Sequence, residues 1–480
     1  MTLAQRKLSD KIYGAKSMDY IPRRVLESLF ARLPKAALRD RLCAMRALAD
    51  AHGVRYVDDE GRRRIIDIAL KPWVLTSLQL RTFQRMIHQL VRALARLPHL
   101  YATYPALRQV ISFSSEQEAW LRLRPTTQDT PLAVIGRLDA SVAYDQAGWR
   151  SSLKMLEPNA VGVGGIHYAP TACGILMEVI GDQLRRVLSG RTISPSPDPR
   201  DLLFEELQAV AKRLHRRLRA VALIENRDYT TGTDEFSSLA EDIESRGLKA
   251  IVADPRDLRL VRGEVRFGST RVDLLYRDSE LSEFIEMEST GRRLSALREA
   301  VRRGQLISSL KWEFDQKSAW EIFTDETYAR CFSPSQRRCF REHLLWTRLV
   351  REAQVTNPTG CVVDLPRFIR RHKDRLVLKP TSLFGGEGVV IGAGVSQQQW
   401  ESQLMRALNG KQRYVVQTLA QLPREQTPRL IDGKVQMASC RAVSGFFFNS
   451  SRIGLVGRFS SKPVVNVSQG GGLIGALWVH

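Results

Sequence analysis

The chain lacks the sequence features that mark secreted, disulfide-rich and membrane-spanning proteins. Its six cysteines are scattered and form no C-x-x-C pair, which favours reduced thiols over a disulfide framework or a zinc site. The longest apolar runs, such as Val389–Val395, have the length of a strand and fall far short of the roughly 20 residues that cross a bilayer. The first residues have no apolar segment like that of a secretory signal. We therefore expect a cytoplasmic protein with no membrane partner.

Motifs of nucleic-acid-binding proteins are also absent, although the chain is strongly basic. Its formal net charge is +22 at pH 7, and basic residues cluster in Lys212–Arg219, Arg292–Arg303 and Arg337–Arg341. Such clusters can attract polyanions, but no helix-turn-helix, ribonucleoprotein or zinc-finger pattern accompanies them. We interpret the clusters as solvated helix faces that partly serve an anionic nucleotide or substrate. A basic nucleic-acid-associated protein remains the lesser alternative.

What the chain does contain is enough apolar sequence for several ordered cores. It has 480 residues, of which 43% are hydrophobic, so its length predicts about two to four domains. A proline-rich stretch at 192–200 predicts a linker, and strand–helix–strand alternation after it predicts a parallel sheet. The predicted division is a helical N-terminal region at 1–125, a part with two paired strands at 126–195, the alternating segment at 200–290, and a glycine-dense part at 300–480.

A glycine-rich segment is the most informative part of the sequence. A short apolar strand ends on Lys379, and the loop that follows carries Gly385, Gly386 and Gly388 before a second apolar strand. Glycines let backbone N–H groups approach phosphate oxygens, and a lysine beside them supplies a positive charge. The alternative is a plain β-hairpin with an exposed lysine. On a later strand, the amide of Gln417 could read an adenine edge, or it could be an ordinary half-buried polar side chain.

Two short polar motifs lie on strands that are predicted to form a hairpin. Arg137 and Asp139 share one face of the first strand, and Glu157 and Asn159 share one face of the second, because side chains alternate along a strand. Two carboxylates and an amide form an oxygen-rich site that suits Mg²⁺, and the planar guanidinium of Arg137 suits phosphate. Each pair could instead be a surface salt bridge or a turn. Together with the glycine loop, they favour a nucleotide site.

These motifs together resemble the circularly permuted ATP-grasp family, which includes the synthetase domain of glutathionylspermidine synthase. The resemblance covers about residues 130–480 and rests on R-x-D, E-x-N, and V-L-K-P followed by G-G-x-G-V, in that order. It implies an α/β (α+β) fold in which the lysine strand and glycine loop follow the metal-binding strands. It further implies that 126–195 is the metal-binding part, 200–290 a Rossmann-like pre-ATP-grasp segment, and 300–480 the lysine and glycine-loop part.

The resemblance also implies a role for each matched residue. Asp139, Glu157 and Asn159 would hold Mg²⁺, Arg137 would bind triphosphate, and Lys379 would contact ATP phosphate. The three glycines would form a flap over the phosphates, and Gln417 would lie near adenine. Lys317 resembles a second nucleotide-contacting lysine, although it could be an exposed helix lysine. Arg458, close to the terminal Pro463–Gly472 stretch, resembles a phosphate or acyl-phosphate contact, so Arg137, Lys379 and Arg458 form the predicted catalytic set.

The activity that this resemblance implies is ATP- and Mg²⁺-dependent ligation of a carboxylate to an amine through an acyl phosphate. The partners would be small-molecule or peptide carboxylates and amines. One departure from the family lies after Asn159, where Ala-Val-Gly-Val-Gly-Gly-Ile-His-Tyr lacks a carboxylate that the family carries near its substrate. His167 in this stretch could orient a substrate or be structural. An ATP-binding protein without ligase activity is the second alternative.

Overall fold

The computed structural model describes all of the chain except residues 1–18, 31–32, 59, 125–131, 230–231, 234, 384, 432 and 468–469. The helices run α1 Arg23–Glu27, α2 Lys35–Ala51, α3 Ser77–Leu94, α4 Leu97–Thr103, α5 Leu107–Val110, α6 Ser115–Leu121, α7 Trp149–Ser152, α8 Tyr168–Val187, α9 Pro199–Arg213, α10 Phe236–Ser245, α11 Leu281–Ser289, α12 Ser295–Arg302, α13 Ala319–Thr324, α14 Pro334–His343, α15 Leu365–Arg371 and α16 Gln397–Asn409.

Strands are distributed over the whole described chain. They run β1 Arg55–Val57, β2 Arg63–Ile65, β3 Asp67–Ile68, β4 Trp73–Thr76, β5 Gly136–Ser141, β6 Lys154–Asn159, β7 Ile193–Pro195, β8 Ala220–Ile224, β9 Gly232–Thr233, β10 Lys249–Ala253, β11 Arg259–Val261, β12 Glu264–Phe267, β13 Thr270–Arg271, β14 Leu274–Arg277, β15 Leu306–Ile307, β16 Thr347–Leu349, β17 Gln354–Thr356, β18 Val362–Asp364, β19 Leu376–Pro380, β20 Val390–Ile391, β21 Tyr414–Thr418, β22 Arg424–Ile431, β23 Lys434–Phe448, β24 Ile453–Ser460, β25 Gly472–Ile474 and β26 Ala476–Val479.

Three sheets position the candidate site. The largest has the order β3-β25-β24-β23-β5-β6, with β22 paired to β23, so strands from early and late in the chain lie side by side. A second sheet, β16-β21-β19-β20, carries the hairpin that holds the glycine loop. The third, β10-β8-β14-β15, is parallel throughout, which confirms the parallel sheet predicted from strand–helix–strand alternation.

Local sequence signals explain where several elements begin and end. The helix α16 starts after Ser396, whose hydroxyl accepts a hydrogen bond from the Gln399 N–H while the Gln399 side chain accepts from the Ser396 N–H. The Ser396 to Gln399 spacing is that of a capping box, and a glycine such as Gly410 is typical of the end of a helix. In β8, every residue of Ala220–Ile224 is buried, as expected for a central parallel strand that is covered on both faces.

The segment predicted as a linker is instead part of the fold. Within 192–200, the strand β7 pairs with the C-terminal strand β26, and Asp198 caps α9 through the Arg200 N–H. The proline-rich pattern misled the prediction because prolines are tolerated on an edge strand and in the first turn of a helix. The N-terminal region is likewise not only helical, since β3 and β4 pair with β25 and β26. The division into four domains stays a prediction.

Aromatic side chains join the N-terminal helices to the central sheet. The ring centroids of Trp73 and Tyr144 are 4.7 Å apart, and those of Phe83 and Phe446 are 5.1 Å apart. All four side chains are buried in one apolar core that also contains residues of the parallel sheet. The six cysteines are free, as their scattered pattern predicts. Among the described residues, no helix combines the length and apolarity needed to cross a membrane.

Candidate functional site

The two polar motifs lie on neighbouring strands and face the same side of the sheet. The strands β5 and β6 are antiparallel, with Arg137 opposite Asn159 and Asp139 opposite Glu157. Directly opposed residues of an antiparallel pair project to one face, so all four side chains lie together. The hairpin predicted from the sequence is therefore confirmed.

Two guanidinium groups hold the carboxylate of Asp139. Arg137 Nε donates to Asp139 Oδ1 over 2.8 Å, and Arg458 Nη2 lies 2.6 Å from Asp139 Oδ2. Burial acts to raise the pKa of Asp139, but the charges of Arg137 and Arg458 outweigh it and hold that pKa below its ordinary value. The neighbouring strand makes room for this pair, because a Cβ on Gly445 would lie 2.6 Å from Arg137 Cδ.

Glu157 meets two lysines that come from distant parts of the chain. Its Oε2 lies 3.9 Å from Lys379 Nζ on β19 and 3.8 Å from Lys317 Nζ. The E-x-N strand and the lysine strand, which the sequence predicts to serve one nucleotide site, thus lie together although more than 200 residues separate them in the chain. Burial and the charge of Lys317 lower the pKa of Lys379, while Glu157 acts to raise it.

Gln417 is fully engaged by protein partners. Its Oε1 accepts a hydrogen bond from Lys379 Nζ at 2.9 Å, and its Nε2 donates to the Leu156 carbonyl at 3.1 Å and to Thr347 Oγ1 at 2.9 Å. The side chain is buried, so this amide fixes the position of the Lys379 ammonium against β6. Its predicted place near adenine stays a prediction.

The glycine loop packs against the segment before the last strands. All three glycines have positive φ, at +64° for Gly385, +80° for Gly386 and +66° for Gly388. The Asn466 amide donates to the Gly385 carbonyl. A Cβ on Gly386 would lie 2.6 Å from Val464 Cγ1, so both the backbone conformation and the close approach require glycine there. Lys317 donates to the Leu383 carbonyl over 2.7 Å, which attaches this lysine to the start of the loop.

If the glycine loop binds a nucleotide, as the sequence predicts, Gly386→Val should impair nucleotide use more than it impairs stability. Valine is disfavoured at positive φ and would collide with Val464, so the loop would move away from Asn466. We expect the ATP KM to rise or kcat to fall, by about tenfold or more. Steady-state kinetics with thermal unfolding would measure both effects.

The matched control is Gly433→Val. Gly433 also has positive φ but lies at the turn between β22 and β23, where a Cβ would meet no atom within 4 Å. Equal kinetic losses in the two variants would contradict a role for the glycine loop in nucleotide binding.

The glycine-rich stretch after Asn159 is held from three sides. The Ala160 N–H donates to Asp315 at 2.6 Å, and Arg137 Nη1 donates to the Gly164 carbonyl at 2.6 Å. The carboxylate of Glu235 accepts from the N–H groups of 165, 166 and 167, with the shortest bond 2.7 Å long. Burial raises the pKa of Glu235 to about 6. The stretch is therefore positioned by carboxylates from elsewhere in the chain.

An acidic wall, defined by Asp278, Glu280 and Asp315, faces this stretch and was not predicted. The carbonyl and Oδ1 of Asp278 would lie 3.1 and 3.4 Å from a Cβ on Gly162, and Glu280 Oε1 would lie 3.7 Å away. Burial and neighbouring carboxylates raise the pKa of Asp278 and of Asp315 to about 7. The sequence does contain a signal for this wall, because Asp-Ser-Glu directly follows the buried strand β14. Ligands commonly bind at the carboxyl ends of parallel strands.

Asp278 should make the stability of the protein depend on pH. Its pKa near 7 lies above the ordinary value of about 3.9 that holds in the unfolded chain. The protonated carboxyl therefore favours the folded state below that ordinary value, and this contribution is lost as pH rises through about 7. We expect Asp278→Asn to raise Tm relative to the wild type, with a gain that grows from pH 5 to about pH 7 and then levels off. Thermal unfolding across this range measures it.

Asp374→Asn is the control for this pH series, because the Asp374 side chain is 73% exposed. A Tm difference for Asp278→Asn that stays constant over the same range would contradict the assignment.

His167 lies outside the cluster of phosphate-binding residue types. It directly precedes α8, its Nε2 lies 3.1 Å from the His52 carbonyl, and its ring is nearly buried. Burial lowers the pKa of His167. These contacts favour the structural interpretation of this histidine.

The residues around Glu157 fit a magnesium–nucleotide complex by their chemistry. Two carboxylates, Asp139 and Glu157, lie among four cations, namely Arg137, Arg458, Lys317 and Lys379. The Glu157 side chain is 26% exposed, and Asn159 is half-buried. Asp139 could join them only by loosening an arginine contact. Within the described residues, no group of three or more His, Cys, Asp or Glu forms a metal site.

Comparisons with known proteins bear on the fold. No protein-family model and no curated protein matches the chain. Among solved structures, it is similar to a glutathione synthetase-like effector from Globodera pallida, with 10% identity, a TM-score of 0.62, and coverage of 95% of this chain and 99% of that one. A likeness of this extent shows a shared glutathione synthetase-like fold, which supports the ATP-grasp type of fold predicted from the sequence.

Two further solved structures align more weakly. A candidate gamma-glutamylcysteine synthetase from Methylobacillus flagellatus has 11% identity and a TM-score of 0.36, over 78% of this chain and 82% of that one. A RimK domain ATP-grasp protein from Sphaerobacter thermophilus has 15% identity and a TM-score of 0.25, over 54% and 90%. Such scores carry no argument about fold. The permuted order of the halves and the kinship with glutathionylspermidine synthase stay predictions.

Proposed function

We propose that this protein is an ATP-dependent ligase that joins a carboxylate to an amine through an acyl phosphate. The observation that carries the proposal is the meeting of four cations and two carboxylates, from separate segments, beside a glycine loop. Such an excess of positive charge suits a triphosphate. The glutathione synthetase-like fold of the effector supports the same assignment.

Each cation has a task in this reaction. Lys379, held in place by Gln417, and Lys317, attached to the glycine loop, would bind the phosphates of ATP. Arg137 and Arg458 would neutralise charge where the substrate carboxylate oxygen bonds to the γ-phosphorus and ADP leaves. Glu157 and Asn159, with Asp139, would hold Mg²⁺, which would supply further neutralisation of the phosphate charge. The roles of these residues are part of the proposal.

The second half of the reaction needs an amine beside the acyl phosphate. The amine nitrogen would attack the acyl carbon, phosphate would leave, and the amine would lose a proton. The acidic wall of Asp278, Glu280 and Asp315 would suit a cationic amine as the substrate, because an ammonium group beside these carboxyls would favour their ionised form, which burial disfavours. It also supplies, from other elements, the carboxylates that the stretch after Asn159 lacks.

The test is formation of ADP that requires ATP, Mg²⁺, a carboxylate and an amine together. Pools of dicarboxylates, amino acids and polyamines would be screened by coupled ADP detection, and the product identified by mass spectrometry. ADP formation that needs both pools supports the ligase. ATP binding in calorimetry with no ADP from any pair would instead favour an ATP-binding protein without ligase activity.

A further inference from the structure

The amino-terminal edge of the parallel sheet carries a dense group of cationic side chains, here called the basic edge. Lys249 begins β10, Arg219 directly precedes β8, and Arg271 lies on the adjoining β13. Arg303 follows α12 and reaches the hairpin β11–β12, where its Nη2 would lie 3.3 Å from a Cβ on Gly263. The basic edge consists of Arg216, Arg219, Lys249, Arg262, Arg266, Arg271, Arg302 and Arg303.

Few carboxylates neutralise the basic edge. Glu264 lies 3.0 Å from Arg271 and 3.3 Å from Arg266, and Asp273 lies 3.3 Å from Arg271. Glu299 pairs with Arg303 at 2.7 Å and with Arg302 at 3.2 Å. Eight cations thus share three carboxylates, which leaves a strong positive potential on this surface.

The hairpin at the basic edge presents two aliphatic side chains to solvent. Leu260 and Val261 are adjacent on β11 and are 41% and 45% exposed. The two-residue turn that follows consists of Arg262 and Gly263, with φ of +50° and +77°. Glycine or asparagine is the usual choice for such a turn. An arginine in the left-handed region is strained, and Arg262 is exposed at the hairpin tip.

We propose that the basic edge and this hairpin dock on an anionic lipid membrane. Leu260 and Val261, which project to opposite faces of β11, would both reach the interface as the hairpin enters tip first, while the surrounding arginines bind anionic headgroups, and neither signal alone gives stable attachment. Polynucleotides fit this surface less well, since the exposed large side chains of the hairpin are aliphatic, whereas single strands are bound by stacking on aromatic rings. The prediction of no membrane partner rested on the absence of spanning segments and did not consider surface attachment.

The basic edge lies away from the acidic wall, so membrane docking there is compatible with a functional site. Parallel strands place the basic edge at their amino ends, and Asp278, which follows the carboxyl end of β14, contacts the stretch after Asn159. The proposed membrane surface and Asp278 of the acidic wall thus lie at opposite ends of the parallel sheet. The proposal does not depend on the ligase assignment.

The test is co-sedimentation of the full chain with vesicles of phosphatidylcholine alone or mixed with phosphatidylglycerol. We expect binding to the mixed vesicles alone, weakened by added salt. Leu260→Ser with Val261→Ser, and Arg262→Glu with Arg303→Glu, should each reduce binding by about tenfold or more. Val362→Ser and Arg371→Glu are the matched controls, because Val362 is 72% exposed and Arg371 is an exposed arginine elsewhere. Thermal unfolding checks that each variant folds.

Three outcomes would overturn the proposal. The first is no sedimentation with mixed vesicles at low salt. The second is an equal loss in Arg371→Glu, because a general attraction of the +22 chain would then explain the binding. The third is unchanged vesicle binding by the Leu260 and Val261 variant together with tighter binding of the wild type to a DNA oligonucleotide, which would make this a nucleic-acid surface.

Discussion

Glu157→Gln is expected to lower ATP turnover by about two orders of magnitude or more while the fold survives. The substitution keeps the shape of the side chain and removes its charge, so the proposed Mg²⁺ site would lose one of its two carboxylates. It also leaves Lys317 and Lys379, at 3.8 and 3.9 Å from Glu157 Oε2, without that partner. ADP formation measured at limiting and at saturating Mg²⁺ would detect the change, which should be larger at limiting Mg²⁺.

The control for this prediction is Glu401→Gln, which removes a charge from the exposed face of α16. It should leave turnover unchanged. Wild-type turnover of Glu157→Gln at limiting Mg²⁺ would contradict a role in metal binding and would reduce Glu157 to an ion-pair partner of the two lysines.

The second large effect concerns stability, at a buried ion pair that joins the N-terminal region to β22. Lys71 Nζ lies 2.7 Å from Glu425 Oε2 and 3.5 Å from Asp145 Oδ2, and Trp73 Nε1 donates to Glu425 Oε1 at 3.1 Å. Both members of the pair are nearly inaccessible, with Lys71 only 3% exposed. Lys71→Met would leave the Glu425 carboxylate buried without its cation. We expect the free energy of unfolding to fall by about 3–5 kcal/mol, measured by urea unfolding.

The double variant Lys71→Met with Glu425→Leu distinguishes an unpaired charge from lost packing. A buried ion pair that is replaced by apolar side chains often costs little, so the double variant should recover most of the lost stability. Lys434→Met, at an exposed position of the β22–β23 hairpin, is the control for removal of a lysine. A double variant as unstable as Lys71→Met alone would show that the loss comes from packing.

The strand pairs that carry the candidate site could be predicted because their signals are local. Alternation along β5 and β6 was enough to place Arg137 and Asp139 on one face, with Glu157 and Asn159 opposite. The glycines between two apolar runs indicated the β19–β20 hairpin, and the Ser396 and Gln399 pair indicated the start of α16. Each of these predictions depends on residues within a short window, where backbone geometry and capping act directly.

The sequence did not predict the short edge strands, because the contacts that hold them are distant in the chain rather than local. The strands β3, β4 and β7 have two to four residues each and are held by pairing with β25 and β26 at the other end of the chain. Such short segments carry too few residues for a detectable period, and their hydrogen-bond partners are hundreds of residues away.

By itself, the sequence determined which side chains share a strand face, where the glycine loop lies, and that a parallel sheet follows. Only the tertiary structure decided what those side chains meet. It pairs the Arg458 guanidinium with the Asp139 carboxylate, and it joins the Gln417 amide to the Lys379 ammonium by a hydrogen bond. It also brings the acidic wall of Asp278, Glu280 and Asp315 against the stretch after Asn159. The physical reason is that a dihedral preference acts within a few residues, whereas charge and burial act through space between segments that sequence order keeps apart.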